Sequence, residues 1–178
     1  MSWTVETAGT SDLSPGDLSG IRQLMTAAFG ERFSEEDWGH ALGGWHFFVR
    51  GSEGNIISHA SVVPRKLEVS DQPLSAGYVE AVATQPEFQG KGLATAIMRV
   101  VGGFIDDRFQ IGALSGDPEF YGSLGWKPWK GKTWYRRGEE VIRTAEEDGG
   151  ILVLLTRTSP PLDLEEDIRA DWRDGDVW

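Results

Sequence analysis

The stretch Gln89-Gly90-Lys91-Gly92-Leu93-Ala94 constrains this chain more than any other. It follows an apolar, strand-like run from Tyr78 to Ala83 and opens a second apolar run, Leu93 to Ile105, that reads as a helix. With no side chain at Gly90 or Gly92, the backbone can approach an anion closely. The first N–H groups of the helix and the positive end of its dipole supply the attraction. A plain strand-to-helix connection would use the same residues. The spacing fails Gly-x-x-x-x-Gly-Lys-Ser/Thr, and as Gln-x-x-Gly-x-Ala it lacks the first glycine of a dinucleotide fingerprint.

The rest of the chain predicts one compact α/β domain over residues 1–178 with no linker and no internal repeat. Trp3–Thr7 reads as a first strand. Asp17–Phe29 carries Leu18, Ile21, Leu24, Met25 and Ala28 at helical spacing, and Ser34-Glu35-Glu36-Asp37 resembles a helix start with Ser34 as N-cap. Strands are expected at Trp45–Arg50, Asn55–Val63, Arg65–Val69 and Leu74–Thr84, with turns at Gly51–Gly54 and Ser70–Pro73. After the helix come a strand at Gln110–Leu114, a short helix near Pro118–Leu124, β-like material from Trp126 to Tyr135 and a strong strand at Ile151–Thr156. Strands followed by strand-helix-strand imply a mixed sheet with a parallel pair around the crossover helix. The polar tail from Pro160 to Trp178 bears tryptophans, which is unusual for a disordered end.

Composition narrows the chemistry. The absence of cysteine excludes disulfides, a cysteine nucleophile and thiolate metal sites, so thiol chemistry must arrive with a ligand. His40, His46 and His59 are too scattered in sequence to suggest a metal site, so no metal is expected. No basic apolar leader and no run long enough to span a bilayer are evident, so a soluble cytoplasmic protein is expected. Lys and Arg total 17 against 28 Asp and Glu, a formal net charge of −11. That field repels nucleic acid and anionic membrane and concentrates a cationic substrate, although acidity also serves solubility. Eight tryptophans and the strand at Ile151–Thr156 leave room for a homodimer interface.

Two residues near the loop stand out chemically. Glu80 lies in the otherwise apolar strand that leads to it, where an acid is costly to bury unless it is paired, exposed on one face, or functional. Partial desolvation would make it a better base near neutrality. Tyr121, in Phe120-Tyr121-Gly122-Ser123-Leu124-Gly125-Trp126, reads equally as a core tyrosine on a short amphipathic helix.

Gln89, Gly92 and Ala94 match Gln/Arg-x-x-Gly-x-Gly/Ala, and this resembles the pyrophosphate-binding signature of the GNAT superfamily of N-acetyltransferases. The resemblance implies an α/β (α+β) GNAT fold, a mixed central sheet of about seven strands with flanking helices. It also implies acetyl-coenzyme A (acetyl-CoA) as cofactor. Gln85, Gln89, Gly90, Lys91, Gly92, Leu93 and Ala94 would then meet the pantetheine-diphosphate arm, with Val82 and Ala83 adding to the pantetheine by strand-like backbone pairing. The Phe-Tyr-x-x-x-Gly-Trp element resembles the one whose phenol protonates the leaving thiolate, which assigns that role to Tyr121. The base is then Glu80, and a backbone N–H between Ala81 and Thr84 would meet the oxyanion.

Over nearly its whole length the chain is similar to the aminoglycoside 2′-N-acetyltransferases. The matching blocks are Asp37-Trp38 with Leu42-Gly43-Gly44, Gly77-Tyr78-Val79-Glu80 with Val82-Ala83, and Gly112-Ala113-Leu114-Ser115. Further on they are Gly125-Trp126 with Pro128-Trp129, and Asp171-Trp172-Arg173 with Gly175-Asp176-Val177-Trp178. This resemblance implies a polycationic aminoglycoside substrate met by Asp37, Glu80, Asp148, Asp176 and the Trp178 carboxylate, with Ser115 near the reacting end. Asp37 also suits a helix first turn, Asp148 an acidic turn shared with Glu146 and Glu147, and Asp176 a solvated tail. Two departures stand out: Arg32 replaces an acid of that family, and the segment from Ser115 to Tyr121 is shorter. An acetyltransferase for another cationic amine or a peptide N-terminus, and a noncatalytic acyl-coenzyme A binder, are the alternatives.

Overall fold

The computed structural model describes residues 3–178. The chain divides into two compact units, one of residues up to Val63 with Val79–Val101, the other of Pro64–Tyr78 with Gly102–Trp178.

In the first unit, strand β1 (Glu6–Gly9) pairs antiparallel with β2 (Trp45–Arg50), and β2 pairs antiparallel with the first half of β3 (Ile56–Val69). The second half of β4 (Gln72–Thr84) lies next to β3 in the sheet. Helix α1 (Pro15–Phe29) starts where the local chemistry demands it. Ser14 and Asp17 form a capping box, and Pro15 at the first helical position donates no bond that the helix needs. Helix α2 (Glu35–Ala41) starts the same way, with Ser34 and Asp37 as the reciprocal pair. Ile21, Leu24 and Met25 of α1, spaced three and one apart, bury completely against Phe48, Ile56, Leu13 and Ala83. Each such side chain contributes about 1.5–3 kcal/mol.

Gly44 is required where the chain enters β2, because a Cβ there would run into the Val62 carbonyl of β3. Gly44→Ala is therefore expected to destabilise the protein by about 1–3 kcal/mol, read as a lower urea midpoint at unchanged slope.

In the second unit the sheet order is β6-β9-β5-β4-β3-β10-β7-β8. Here β5 (Ile111–Ser115) runs parallel to β4 at Ala76–Tyr78, the pair expected around the crossover helix α3 (Leu93–Arg108). Strand β9 (Ile151–Leu155) pairs antiparallel with β5, while β6 (Lys127–Pro128) pairs with Leu152 and Val153 of β9. The strand at Ile151–Leu155 thus has β5 along one side and the two residues of β6 on the other. Helix α4 (Pro118–Gly122) is capped by Asp117. Strand β7 (Thr133–Arg137) turns through Gly138 into β8 (Glu140–Arg143).

Local pattern misplaced several boundaries. The first strand lies at Glu6–Gly9, not Trp3–Thr7. Strands expected at Asn55–Val63 and Arg65–Val69 are one strand, β3, running through Pro64. Pairing with β2 ends at Val62 and pairing with β10 begins at Leu67, so the missing N–H of Pro64 falls between two ladders. The β3–β4 turn is only Ser70-Asp71, both at positive φ (50° and 61°), as a two-residue hairpin requires. Strand β10 (Ile168–Asp171), unforeseen in the polar tail, slots antiparallel to β3 and parallel to β7, with Ile168 and Ala170 buried. Ten strands are formed among the described residues, the additions to the expected seven being short.

Candidate active site

In the first unit the loop after β4 has the backbone an anion needs. Gly90 and Gly92 hold φ of 71° and 80°, and a Cβ at either would project into open space in front of the loop. Leu93 is fully buried, its side chain on one helix face with Ile97, Val101 and Ile105, which leaves its backbone N–H at the start of α3 as the group it can offer a ligand. Lys91 is exposed, its ammonium over the Phe88 ring at 5.0 Å. Gln85 and Gln89 brace the approach: their side-chain amides donate to Ile56 O and Thr84 O at 3.3 and 3.2 Å. Ala94 sits half-buried in the first turn of α3. The residues fit a diphosphate-bearing cofactor.

Upstream on β4, Val82 is half-buried and Ala83 buried. Ala81 has φ of 50°, a left-handed conformation rare for a residue with a Cβ and a local break in strand geometry. Ala81 and Glu80 form one wall of a cavity of about 240 Å³, whose other lining residues are Phe29, Arg32, Phe33 and Asp37. Asp37 has two duties there: its carboxylate accepts from Ser34 N at 2.9 Å in the capping box and lines the cavity as well. Arg32 adds a cation to the same space.

Buried beside this cavity are His46 and His59. They meet at 2.9 Å across β2 and β3, because His46 stands opposite Ser61 and is therefore the diagonal neighbour of His59. Scattered in sequence, the two are adjacent in space. Burial pushes His46 down to about 4, and burial with the neighbouring His46 pushes His59 down to about 3, so both are neutral near pH 7. Among the described residues, no group of His, Asp or Glu is arranged to hold a metal ion.

The second unit carries the remaining candidates. Tyr121 on α4 is buried, edge-on to Phe120 and Trp126 with centroids at 4.8 and 6.4 Å, and Gly116 leaves room for its ring. Burial, helped by the Asp117 charge, raises its phenol to about 12, so it stays protonated throughout the neutral range. Ser115 is exposed at the end of β5.

A second hollow, of about 230 Å³, is lined by Tyr135, Thr144, Glu146, Glu147, Trp172 and Gly175–Trp178. Asp176 and Trp178 belong to it, and Asp148 does not. The Asp148 carboxylate is held by Arg143 and by the Thr133 amide and hydroxyl, both at 3.0 Å, which lowers its pKa well below the ordinary carboxylate range. The acids facing this hollow are instead Glu146, Glu147 and Asp176. Glu147 is raised by burial and then by the charges of Asp176 and Glu146, the signature of a site that favours a cation. Arg65 ties the tail down, donating to Asp171 at 2.9 Å and to the Val177 carbonyl at 2.5 Å. The Trp178 indole is buried and donates to Thr144 Oγ1 at 3.0 Å.

A mixed sheet, a glycine loop feeding a helix start, and an acid on the strand before it fit the acetyl-coenzyme A dependent acetyltransferases. The chain belongs to the GNAT acetyltransferases: residues 10–129 match the family described as Acetyltransferase (GNAT) domain. Within them it is a member of the family of the aminoglycoside 2′-N-acetyltransferase of Mycolicibacterium fortuitum. The two are 42% identical over 180 residues, covering 98% of this chain and 92% of that one.

Solved structures share the fold at low identity. A GNAT family N-acetyltransferase (YhbS) from Escherichia coli in complex with CoA superposes with a TM-score of 0.69 at 14% identity, over 96% of this chain and 90% of that one. A GNAT acetyltransferase from Brucella melitensis in complex with acetyl-CoA gives 0.61 at 16% identity, over 93% and 94%. A probable N-acyltransferase from Enterococcus faecalis is longer, this chain spanning 33% of it with a TM-score of 0.60.

Proposed function

We propose that this acetyltransferase moves the acetyl group of acetyl-CoA to the 2′-amino group of aminoglycosides. The observation that carries this reading is the placement of two carboxylates, Glu80 and Asp37, on one cavity at the strand that runs into the glycine loop. The second acidic hollow and the full-length relative support a polycationic acceptor. Bound acetyl-CoA supplies the thioester. The loop from Gln89 to Ala94 holds its diphosphate through backbone N–H groups and the start of α3.

Each residue then has a defined proton task. The acceptor amine must be neutral to attack, so Glu80 takes its proton directly or through a water. A backbone N–H from the Ala81–Thr84 stretch meets the negative charge that develops on the carbonyl oxygen. Tyr121 keeps a proton on its phenol and gives a hydrogen bond to the departing sulfur. A thiol has an ordinary pKa of about 8.5, so a phenol held at about 12 serves mainly to stabilise the thiolate's charge. Positioning of both reactants adds to these effects.

Thiol release with tobramycin, gentamicin and kanamycin A as separate acceptors tests the reading. Tobramycin and gentamicin carry an amine at 2′ and kanamycin A a hydroxyl, so fast release with the first two and little with the third is expected. Equal rates with all three would move the reaction to another amine. The cation of Arg32 in the acceptor cavity favours, as a second reading, an acceptor with fewer ammonium groups. A panel of mono- and diamines outpacing tobramycin would establish it.

A further inference from the structure

A buried chain of side chains runs from the cavity wall at Ala81 to the loop after α2. His59 Nδ1 lies 2.9 Å from the Ala81 carbonyl oxygen, His59 Nε2 lies 2.9 Å from His46 Nδ1, and His46 Nε2 lies 2.8 Å from the Thr10 hydroxyl. The Thr10 hydroxyl in turn accepts from Gly43 N at 3.0 Å, three residues beyond His40 of α2. The direction of every bond follows from the end that cannot donate. A carbonyl only accepts, so His59 carries a proton on Nδ1. With both imidazoles held neutral by burial, His59 Nε2 accepts from His46 Nδ1, and His46 Nε2 accepts from the Thr10 hydroxyl, which also lies 3.2 Å from Gly44 O.

The carbonyl that ends this chain belongs to Ala81, the residue at φ 50°. A left-handed residue with a Cβ costs of order 1–3 kcal/mol and persists only where its surroundings over-determine it. Three consecutive features of β3 do so: Ser61 Oγ donates to Glu80 O at 3.3 Å, His59 to Ala81 O, and Ser58 Oγ to Ala83 O at 3.2 Å. These polar residues are fully buried inside the otherwise apolar first half of β3. Two serines and a histidine there would be a liability for packing alone, since each must be satisfied. What they share is a carbonyl partner on the strand segment that carries Glu80.

We propose that His59 and His46 are positioning residues: by holding the Ala81 carbonyl, they keep the strand break that aims Glu80 and the following N–H groups into the acceptor cavity. The role rests on the acetyl-transfer reading above. Thr10 anchors the far end of the chain to Gly43, linking the Ala81 wall of the cavity to the loop behind the α2 wall that carries Asp37.

The test has two arms. Nitrogen-15 NMR of the unmutated protein at pH 7 is expected to show both His46 and His59 protonated on Nδ1, the minor tautomer of free histidine. A proton on Nε2 of His59 would overturn the proposal without any variant. In the second arm, His59→Leu removes the donor and His59→Asn restores one where Nδ1 stood, with Thr10→Val as a milder break at the outer end. Turnover of tobramycin by the unmutated protein is measured first, so failure of the acetyl-transfer reading shows there and failure of the positioning role shows in the variants. Folded His59→Leu is expected to lose about 10- to 100-fold in kcat with the acetyl-CoA KM within about threefold, and His59→Asn to regain at least about fivefold. Thr10→Val is expected to lose about threefold. Folded His59→Leu with unchanged kcat, or His59→Asn no better than His59→Leu, would show a purely structural histidine. Should His59→Leu not fold, a His59 proton on Nε2 or an unchanged kcat in Thr10→Val still decides against the role, and protons on both Nδ1 atoms with a loss in Thr10→Val support it.

Discussion

Glu80→Gln is expected to lower kcat by about 10²- to 10⁴-fold while the KM for acetyl-CoA stays within about twofold. Gln has the size and shape of Glu and still fills the wall of the cavity beside Ala81 and opposite Asp37, so the fold is preserved. What it loses is the capacity to accept the proton that the amine must shed. The residual rate should rise with pH as more of the amine becomes neutral in solution, and steady-state kinetics from pH 6 to 9 would show this slope in the variant. A variant with normal turnover would remove Glu80 from the base role and turn attention to Asp37, the other carboxylate on that cavity.

Removing Val177 and Trp178 is the second large effect, and it acts on two levels. Trp178 is buried, its indole bonded to Thr144, and loss of such a side chain costs about 3–5 kcal/mol. Arg65, itself buried, would also lose the Val177 carbonyl as acceptor. For a chain of this size the melting temperature should fall by roughly 10 °C. On the second level, the acidic hollow loses two of its lining residues, so the KM for tobramycin should rise while that for acetyl-CoA does not. Asp176→Asn separates the two, because it keeps the buried indole and removes one charge. It is expected to raise the tobramycin KM with little change in melting temperature. An unchanged tobramycin KM in both variants would make the tail a structural strap.

The parts of this protein legible from sequence are those decided over a few residues. The Ser34 N-cap, the apolar face of α1 and the glycine loop at the start of α3 are local, because helix starts and tight turns depend on residues three or four apart, although α1 begins at Pro15 behind a Ser14/Asp17 capping box and not at Asp17. Strand β10 was not legible: Ile168 and Ala170 look like isolated apolar residues in a polar tail until β3 and β7 are there to cover them.

Charge partners were equally hidden. Asp148 and Glu147 are neighbours in sequence, yet Arg143 and Thr133 claim the first and leave the second facing the acidic hollow. The left-handed Ala81 and the meeting of His46 with His59 depend on strand register, which relates residues thirteen and more apart. The sequence by itself determined the family, the glycine loop and the carboxylate-bearing strand, since these are carried by contiguous residues. Which acids face a cavity, which are spent on salt bridges, and what holds the strand break open were decided by the tertiary structure. Hydrogen bonds and desolvation act on neighbours in space, wherever they fall in the chain.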